Sequence, residues 1–158
     1  KQNRMLNILF KIISLFRNSY WFAYKPITIG VKIIAVSDDK VLLVKNRYDK
    51  FWCFPGGGIK TGETLAEAAK REMMEECKIE IEEIKVIGAY SNFVEYKSDH
   101  IVLFSCDVSS FIPNKKGYEI EKMEFFKMNN LPIETSPATR RRLEEFISNK
   151  NNITSGKW

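Results

Sequence analysis

Three glutamates in one short stretch of the chain have the type and spacing of a cation site. Glu72, Glu75 and Glu76 stand at positions i, i+3 and i+4, and a helix predicted over residues 65–77 places such residues on one flank. Like charges crowded in this way cost a helix roughly 0.2–0.5 kcal/mol per pair. A divalent cation relieves that repulsion, and hard cations such as Mg²⁺ prefer carboxylate oxygens. The alternative is a solvated acidic face, which is common on exposed helices.

A glycine-rich turn precedes this predicted helix. Gly56, Gly57 and Gly58 have access to backbone angles closed to other residues, so the chain there can approach a ligand closely. A backbone carbonyl of the turn can complete a metal shell, and Arg71 can pair with Glu63 to hold the turn against the helix. The combination predicts metal-assisted chemistry on a phosphorylated substrate, with water as the activated group.

The same residues resemble the Nudix box, G-x5-E-x7-R-E-U-x-E-E-x-G-U, where U is a bulky aliphatic residue. The positions that match in register are Gly57, Glu63, Arg71, Glu72, Met73, Glu75, Glu76 and Ile79. Lys78 stands where the family has a glycine that ends the helix in the left-handed conformation. A side chain in that conformation costs about 1 kcal/mol, and the helix dipole returns part of this for a lysine. We therefore expect a slightly altered helix end and an intact set of ligand positions.

The resemblance implies Mg²⁺-dependent hydrolysis, by water, of the diphosphate linkage of a nucleoside diphosphate joined to another moiety, of the dinucleoside polyphosphate or nucleotide-sugar type. It makes Glu75 and Glu76 metal ligands, with Mn²⁺ as a substitute ion, and the Gly56 carbonyl a further ligand. Glu72 becomes a ligand or the general base, while Glu63 and Arg71 orient the helix. Two alternatives stay open. One is a (deoxy)nucleoside triphosphate pyrophosphohydrolase, and the other is a nucleotide-binding Nudix module without catalysis.

Substrate contacts are expected outside the carboxylate cluster. The predicted substrate-binding residues are Gly57, Gly58, Trp52, Tyr96 and Glu119. Trp52 precedes the turn, and two roles are open for its ring: stacking on a nucleobase or packing in the core. Many Nudix proteins recruit an additional acid from a later loop, for which Glu119 and Glu121 are the first candidates and Glu95 and Asp99 the rivals.

The surrounding pattern predicts an α+β protein rather than a parallel doubly wound sheet. Runs rich in β-branched or alternating residues predict strands over 27–36, 41–44, 84–93, 101–108 and 119–128. A second helix is predicted over 137–148, with Ser136 as its N-cap and Pro137 as its first residue. The resemblance implies a Nudix-like fold, a mixed β-sheet flanked by helices, with an extra N-terminal helix.

Charge divides the chain of 158 residues, whose formal net charge is +5. Residues 1–25 contain five basic residues and no acid, so the whole excess lies there, in a basic amphipathic helix. We expect the Nudix domain to cover 26–149 and a flexible tail 150–158. Residues 1–25 suggest a peripheral contact with an anionic membrane, or packing on the domain or on a second copy in a homodimer.

Cysteine, histidine and hydrophobic patterns limit the remaining classes. Three cysteines without a CxxC pair and a single histidine exclude a disulfide framework and a Cys- or His-based metal site. The bulk of residues 1–25 is apolar rather than basic, which argues against sequence-specific nucleic-acid binding. No uncharged stretch there is long enough to span a bilayer, so the expected location is cytoplasmic, with membrane association as an option.

Overall fold

The computed structural model describes residues 26–93, 97–109, 117–148 and 153–158. Seven strands form one sheet: β1 (Ile27–Ser37), β2 (Lys40–Asn46), β3 (Trp52–Cys53), β4 (Lys85–Asn92), β5 (Ser98–Asp107), β6 (Ile120–Lys127) and β7 (Thr154–Lys157). Helix α1 spans Leu65–Glu72 and runs into a π-helical turn over Met73–Cys77, and helix α2 spans Pro137–Ser148. The strands and helices predicted after residue 26 are therefore present, with ends that move by at most three residues, while β3 and β7 were not predicted.

The sheet is mixed, as expected of the fold class. The strand order is β3-β2-β1-β5-β4-β7, and β6 pairs with β2. β1 pairs with β5 in parallel and β4 pairs with β7 in parallel, whereas the β1–β2, β2–β3, β2–β6 and β4–β5 pairs are antiparallel. The central position of β1 explains its nearly continuous apolar sequence, because both of its faces are covered.

Alternation along β1 divides the core into two layers. Ile33 belongs to a cluster that includes Met73 and Cys77 on the α1 side, and Ile34 belongs to a cluster that includes Leu143 of α2. Successive side chains of a strand point to opposite faces, so one strand supplies both layers. The helices therefore flank the sheet, and the position of α1 over β1 sets the location of the acidic residues.

Both helices begin at the predicted caps. Thr64 and Glu67 form a complete capping box, with the Glu67 amide donating to the Thr64 hydroxyl at 3.2 Å. At α2 the Thr139 amide donates to the Ser136 hydroxyl oxygen at 3.4 Å. These bonds satisfy amide groups that have no partner within the helix, so the first turn of α1 is fixed directly after the glycine turn.

The C-terminal residues differ from the expected loose tail. Thr154–Lys157 pair with the exposed edge of β4, and the Trp158 ring packs edge-on against Tyr90 with centroids 5.8 Å apart. Arg141 donates to the Trp158 carbonyl oxygen at 3.0 Å. An open strand edge and an aromatic anchor thus order a segment whose own composition favours no structure.

The amphipathic helix predicted over residues 1–25 lies outside the described residues. Among the residues that are described, no helix is long and apolar enough to cross a membrane.

Candidate functional site

The glycine turn lies directly against β1. The Val31 amide donates to the Gly57 carbonyl at 2.9 Å, and the Ile33 amide donates to the Pro55 carbonyl at 3.0 Å. Gly56 has a φ of 130°, and a Cβ built on it would lie 2.2 Å from the Val31 carbonyl oxygen. Only glycine fits both the conformation and the space. The turn is thus pressed onto a central strand, which fixes the Gly56 peptide.

Lys32 reaches the same turn from β1, a contact that the residue pattern does not predict. Its Nζ donates to the Phe54 carbonyl oxygen at 2.9 Å and to the Gly56 carbonyl oxygen at 2.7 Å. The only signal in the sequence is a lone charged residue inside an apolar strand. The Gly56 oxygen proposed as a metal ligand therefore accepts a hydrogen bond from an ammonium group.

Arg71 joins the helix to the turn, as its predicted pairing with Glu63 requires. Its Nη2 and Nε donate to the two Glu63 carboxylate oxygens at 2.7 and 3.0 Å, and Nη2 also donates to the Gly58 carbonyl at 3.0 Å. Nη1 donates to Glu72 Oε1 at 2.6 Å. The Arg71 hydrogen bonds lower the pKa of Glu63 to about 2, and the same contacts raise the pKa of Arg71. A bidentate pair of this kind fixes orientation as well as distance.

The predicted acids lie together but in unequal surroundings. Glu75 is half exposed and pairs with Lys60 at 3.0 Å and with Arg71 at 3.1 Å, and these hydrogen bonds, led by that from Lys60, lower its pKa. Glu72 faces the turn so closely that a Cβ on Gly57 would lie 2.7 Å from Glu72 Oε1. The Arg71 and Lys60 side chains thus hold the carboxylates of Glu72 and Glu75. Both carboxylates lie on the side of the helix that faces the glycine turn.

Glu76 is partly buried and lies against the glycine turn. Its Oε2 accepts a hydrogen bond from the Gly56 amide at 2.8 Å. Burial raises the pKa of Glu76, the charges of Glu72 and Glu119 raise it further, and Lys32 and the Gly56 amide lower it. The π-helical turn that contains Glu76 widens the helix, and such turns are frequent at functional sites.

Glu119 is the additional acid that the fold brings to this cluster. The Tyr48 hydroxyl lies 3.5 Å from Glu119 Oε2 and accepts a hydrogen bond from Asn46 at 3.1 Å. Desolvation and the negative charges of Glu119 and Glu76 raise the pKa of Tyr48 to about 12. The Gly117 amide donates to the Glu76 carbonyl at 2.8 Å. The segment before β6 therefore packs on the π-helical turn, with Glu119 on the side of Glu76.

The other candidates have different surroundings. Trp52, considered for base stacking, is only 7% exposed and packs edge-on against Phe126 with centroids 4.9 Å apart, so it occupies the core instead. Asp99 accepts a hydrogen bond from Thr28 at 2.6 Å and pairs with Lys97 at 3.1 Å. Tyr96 and Glu95 lie outside the described residues.

The donor set suits a hard divalent cation. Within the described ranges no three side chains of Asp, Glu, His and Cys form a ready metal cluster, and Arg71 and Lys60 pair with carboxylate oxygens of Glu63, Glu72 and Glu75. The repulsion that Glu72 and Glu119 exert on Glu76 is nevertheless of the kind that a cation relieves. Carboxylate and carbonyl oxygens are the ligands that Mg²⁺ accepts, so the residues fit such an ion.

Comparison with known proteins identifies relatives of this chain. An ADP-ribose pyrophosphatase of Methanocaldococcus jannaschii is 35% identical over 109 residues, which cover 66% of this chain and 64% of the relative. An RNA pyrophosphohydrolase of Sodalis glossinidius is 32% identical over 74 residues, or 47% of this chain and 41% of the relative. The chain thus spans less than two thirds of the length of either relative.

The fold and the family model agree with these relatives. The crystal structure of a MutT protein from Methanosarcina mazei superposes with a TM-score of 0.69 at 24% identity, covering 81% of this chain and 98% of that one. The family model of the NUDIX domain matches residues 26–146. A match over most of the chain, together with a box whose acids surround the glycine turn, shows that the chain belongs to the Nudix family.

Proposed function

We propose that this protein is a Mg²⁺-dependent pyrophosphohydrolase that cleaves the diphosphate linkage of a nucleoside diphosphate joined to another moiety. The observation that carries the proposal is that two acids of the box lie against the glycine turn: Glu76 accepts a hydrogen bond from the Gly56 amide and Glu72 lies beside Gly57, while the charge of Glu119 acts on Glu76. When bound there, a divalent cation supplies charge neutralisation on the diphosphate and lowers the pKa of a bound water.

Each residue of the cluster has a distinct role in the proposal. Glu76 and the Gly56 carbonyl hold the cation, because both are fixed by the turn and Glu76 lacks a direct ion pair among the described residues. Glu72 serves as a ligand or takes the proton of the attacking water. Glu75 becomes a ligand after it leaves Lys60. Arg71 and Glu63 keep the helix in register with the turn.

A nucleotide substrate is supported by the surface next to Glu119. Tyr48 and Tyr118 are 57% and 65% exposed, and the guanidinium of Arg47 lies 5.8 Å from the centre of the Tyr118 ring. Exposed aromatic rings provide faces on which a nucleobase can stack, and an arginine suits phosphate oxygens. Gly57 and Gly58, at the open end of the turn, are the proposed contacts to the phosphate chain.

Two other functions remain as alternatives. A (deoxy)nucleoside triphosphate pyrophosphohydrolase uses the same cluster, and the RNA pyrophosphohydrolase relative supports testing substrates with a 5′-triphosphate. A nucleotide-binding module without catalysis would keep the fold and lose turnover. The ADP-ribose pyrophosphatase relative favours the linked-diphosphate class.

The test is a substrate screen with product analysis. ADP-ribose, dinucleoside polyphosphates, nucleotide sugars, (deoxy)nucleoside triphosphates and 5′-triphosphorylated RNA are incubated with the full chain in Mg²⁺ or Mn²⁺. Cleavage of a linked substrate into two phosphorylated fragments supports the proposal: two monophosphates from a diphosphate bridge, or a nucleoside mono-, di- or triphosphate pair from a longer bridge. Release of pyrophosphate from triphosphates alone supports the first alternative. The absence of turnover on every substrate would leave only the binding module.

Glu76→Gln tests the cluster itself. Loss of a residue that only supports a metal ligand reduces activity by up to about 100-fold. Because Glu76 is proposed as a direct ligand, we expect turnover to fall by more than about 100-fold, while the circular dichroism spectrum stays unchanged. Glu80→Gln removes one charge from an exposed position just beyond the π-helical turn and is expected to keep wild-type turnover. Near wild-type turnover of Glu76→Gln would remove Glu76 from the proposed site.

A further inference from the structure

Lys32 is a cation placed inside the proposed metal site. Its ammonium group lies 2.7 Å from the Gly56 carbonyl oxygen and 2.9 Å from the Phe54 carbonyl oxygen. The neighbouring carbonyls of the turn, those of Pro55 and Gly57, accept from backbone amides of β1 instead. The ammonium group thus donates to the partly buried carbonyls of Phe54 and Gly56, while the β1 amides donate to the carbonyls next to them.

Gly56 connects this ammonium to Glu76. Its carbonyl accepts from Lys32, and its amide donates to Glu76 at 2.8 Å. The positive charge of Lys32 also favours the ionised form of Glu76. One side chain therefore balances a carboxylate and occupies an oxygen that a divalent cation would use.

We propose that Lys32 is the resident cation of the metal-free site, and that a divalent metal ion competes with it for the Gly56 carbonyl oxygen. This inference rests on the proposed function, since it takes Gly56 as a ligand. Two cations bound at one partly buried oxygen repel each other strongly. Lysine carries its charge on a flexible four-carbon stem, so it can leave the turn when a metal ion enters.

The competing explanation is that Lys32 is a structural clamp for the turn. The two explanations predict opposite changes in metal affinity when Lys32 is replaced. If Lys32 only fixes the turn, its removal loosens Gly56 and weakens metal binding. If Lys32 competes, its removal strengthens metal binding and destabilises the metal-free protein. Lys32→Met removes the charge and both hydrogen bonds while keeping a side chain of similar length.

The experiment measures Mn²⁺ binding to the full chain at pH 8 by electron paramagnetic resonance of the free ion. We expect Lys32→Met to bind Mn²⁺ about tenfold more tightly than the wild type, and Lys32→Arg, which keeps the charge, to stay near the wild type. Lys85→Met removes the same charge from the exposed side of β4 and serves as the control, with affinity within about twofold because a distant surface charge is screened.

Thermal unfolding provides a second readout without turnover. Metal-free Lys32→Met is expected to unfold at a lower temperature than the wild type, and Mg²⁺ is expected to raise its Tm by more than it raises the wild-type Tm, because tighter binding to the folded state stabilises it more. Unchanged or weaker Mn²⁺ binding by Lys32→Met would overturn the competition. A wild type that binds no Mn²⁺ would instead refute the proposed function.

Two further measurements cover the case in which Lys32→Met does not fold. Lys32→Gln keeps one donor without the charge, and it is expected to bind Mn²⁺ more tightly as well. In the wild type with ¹⁵N-labelled lysine, saturating Mg²⁺ is expected to change the NMR signal of the Lys32 ammonium group. A signal that stays unchanged while Mg²⁺ binds would show that Lys32 remains on the turn, against the inference.

Discussion

Lys78→Gly tests how the helix that carries the acids ends. Lys78 stands at the glycine position of the box and adopts φ 57° and ψ 31°, which is the left-handed conformation. Its amide donates to the Met74 carbonyl at 3.2 Å, and its side chain is exposed. Lys78 therefore adopts the left-handed conformation without a glycine, and the cost of its side chain in that conformation can be measured.

The expected change in the free energy of unfolding is the sum of one stabilising and two destabilising effects. Relief of the left-handed strain is worth about 1–2 kcal/mol. The greater freedom of glycine in the unfolded chain takes back about 0.4–1 kcal/mol, and loss of a lysine at a helix C-terminus costs about 0.3 kcal/mol for an exposed side chain. We expect Lys78→Gly to raise the free energy of unfolding by about 0.5 kcal/mol, which corresponds to a Tm increase of about 1–2 °C.

Urea denaturation monitored by circular dichroism measures this change. Asp38→Gly is the matched control, because Asp38 also has a positive φ, of 53°, in the β1–β2 turn, and aspartate adopts this conformation more readily than lysine. A smaller gain than that of Lys78→Gly is expected for it. A loss of stability in Lys78→Gly, with an unchanged m-value, would refute the assignment of strain to this residue.

Two further predictions concern the turn and its ion pair. Gly56→Ala is expected to destabilise the fold by about 2–4 kcal/mol, because the new Cβ would lie 2.2 Å from the Val31 carbonyl oxygen. The control Gly62→Ala, at φ 87° with no atom within 4 Å of the new Cβ, is expected to cost only about 1 kcal/mol. Equal losses of the two variants in urea denaturation would contradict the steric argument. The pKa of Glu63 is lowered from 4.5 to about 2 by Arg71, so its contribution to stability is complete above about pH 5 and disappears as the pH falls toward 2. The free energy of unfolding of Glu63→Gln should accordingly decline less steeply over this acidic range than that of the wild type, and parallel curves would show that the pair does not stabilise the folded state.

Much of the site is local in origin, and for that reason it could be predicted from sequence. The acids of the box, the partner pair Glu63 and Arg71, and the capping residue Thr64 lie within fourteen residues of one another along the chain. Helical periodicity alone brings such residues together. Five of the seven strands were predicted from local pattern as well, since alternation and β-branched residues reflect the environment of each strand, whereas β3 and β7 were not.

The residues that the sequence left undecided depend on contacts between distant segments. Tyr48 and Glu119 are 71 positions apart, and they meet because β6 pairs with β2. Lys32 reaches the turn because β1 lies under it, and Trp52 is buried because β3 packs beside Phe126 of β6. Neither pattern nor composition specifies which strands become neighbours.

The sequence by itself determined the spacing of the acids and of the glycine turn, because a helix and a tight turn close together along the chain already define the acid cluster. Only the tertiary structure decided which charged groups from other strands act on that cluster. The order of strands in the sheet brings the Lys32 ammonium and the Glu119 carboxylate close enough to act on the partly buried Glu76, and the strength of such charge interactions depends on distance and burial rather than on position along the chain.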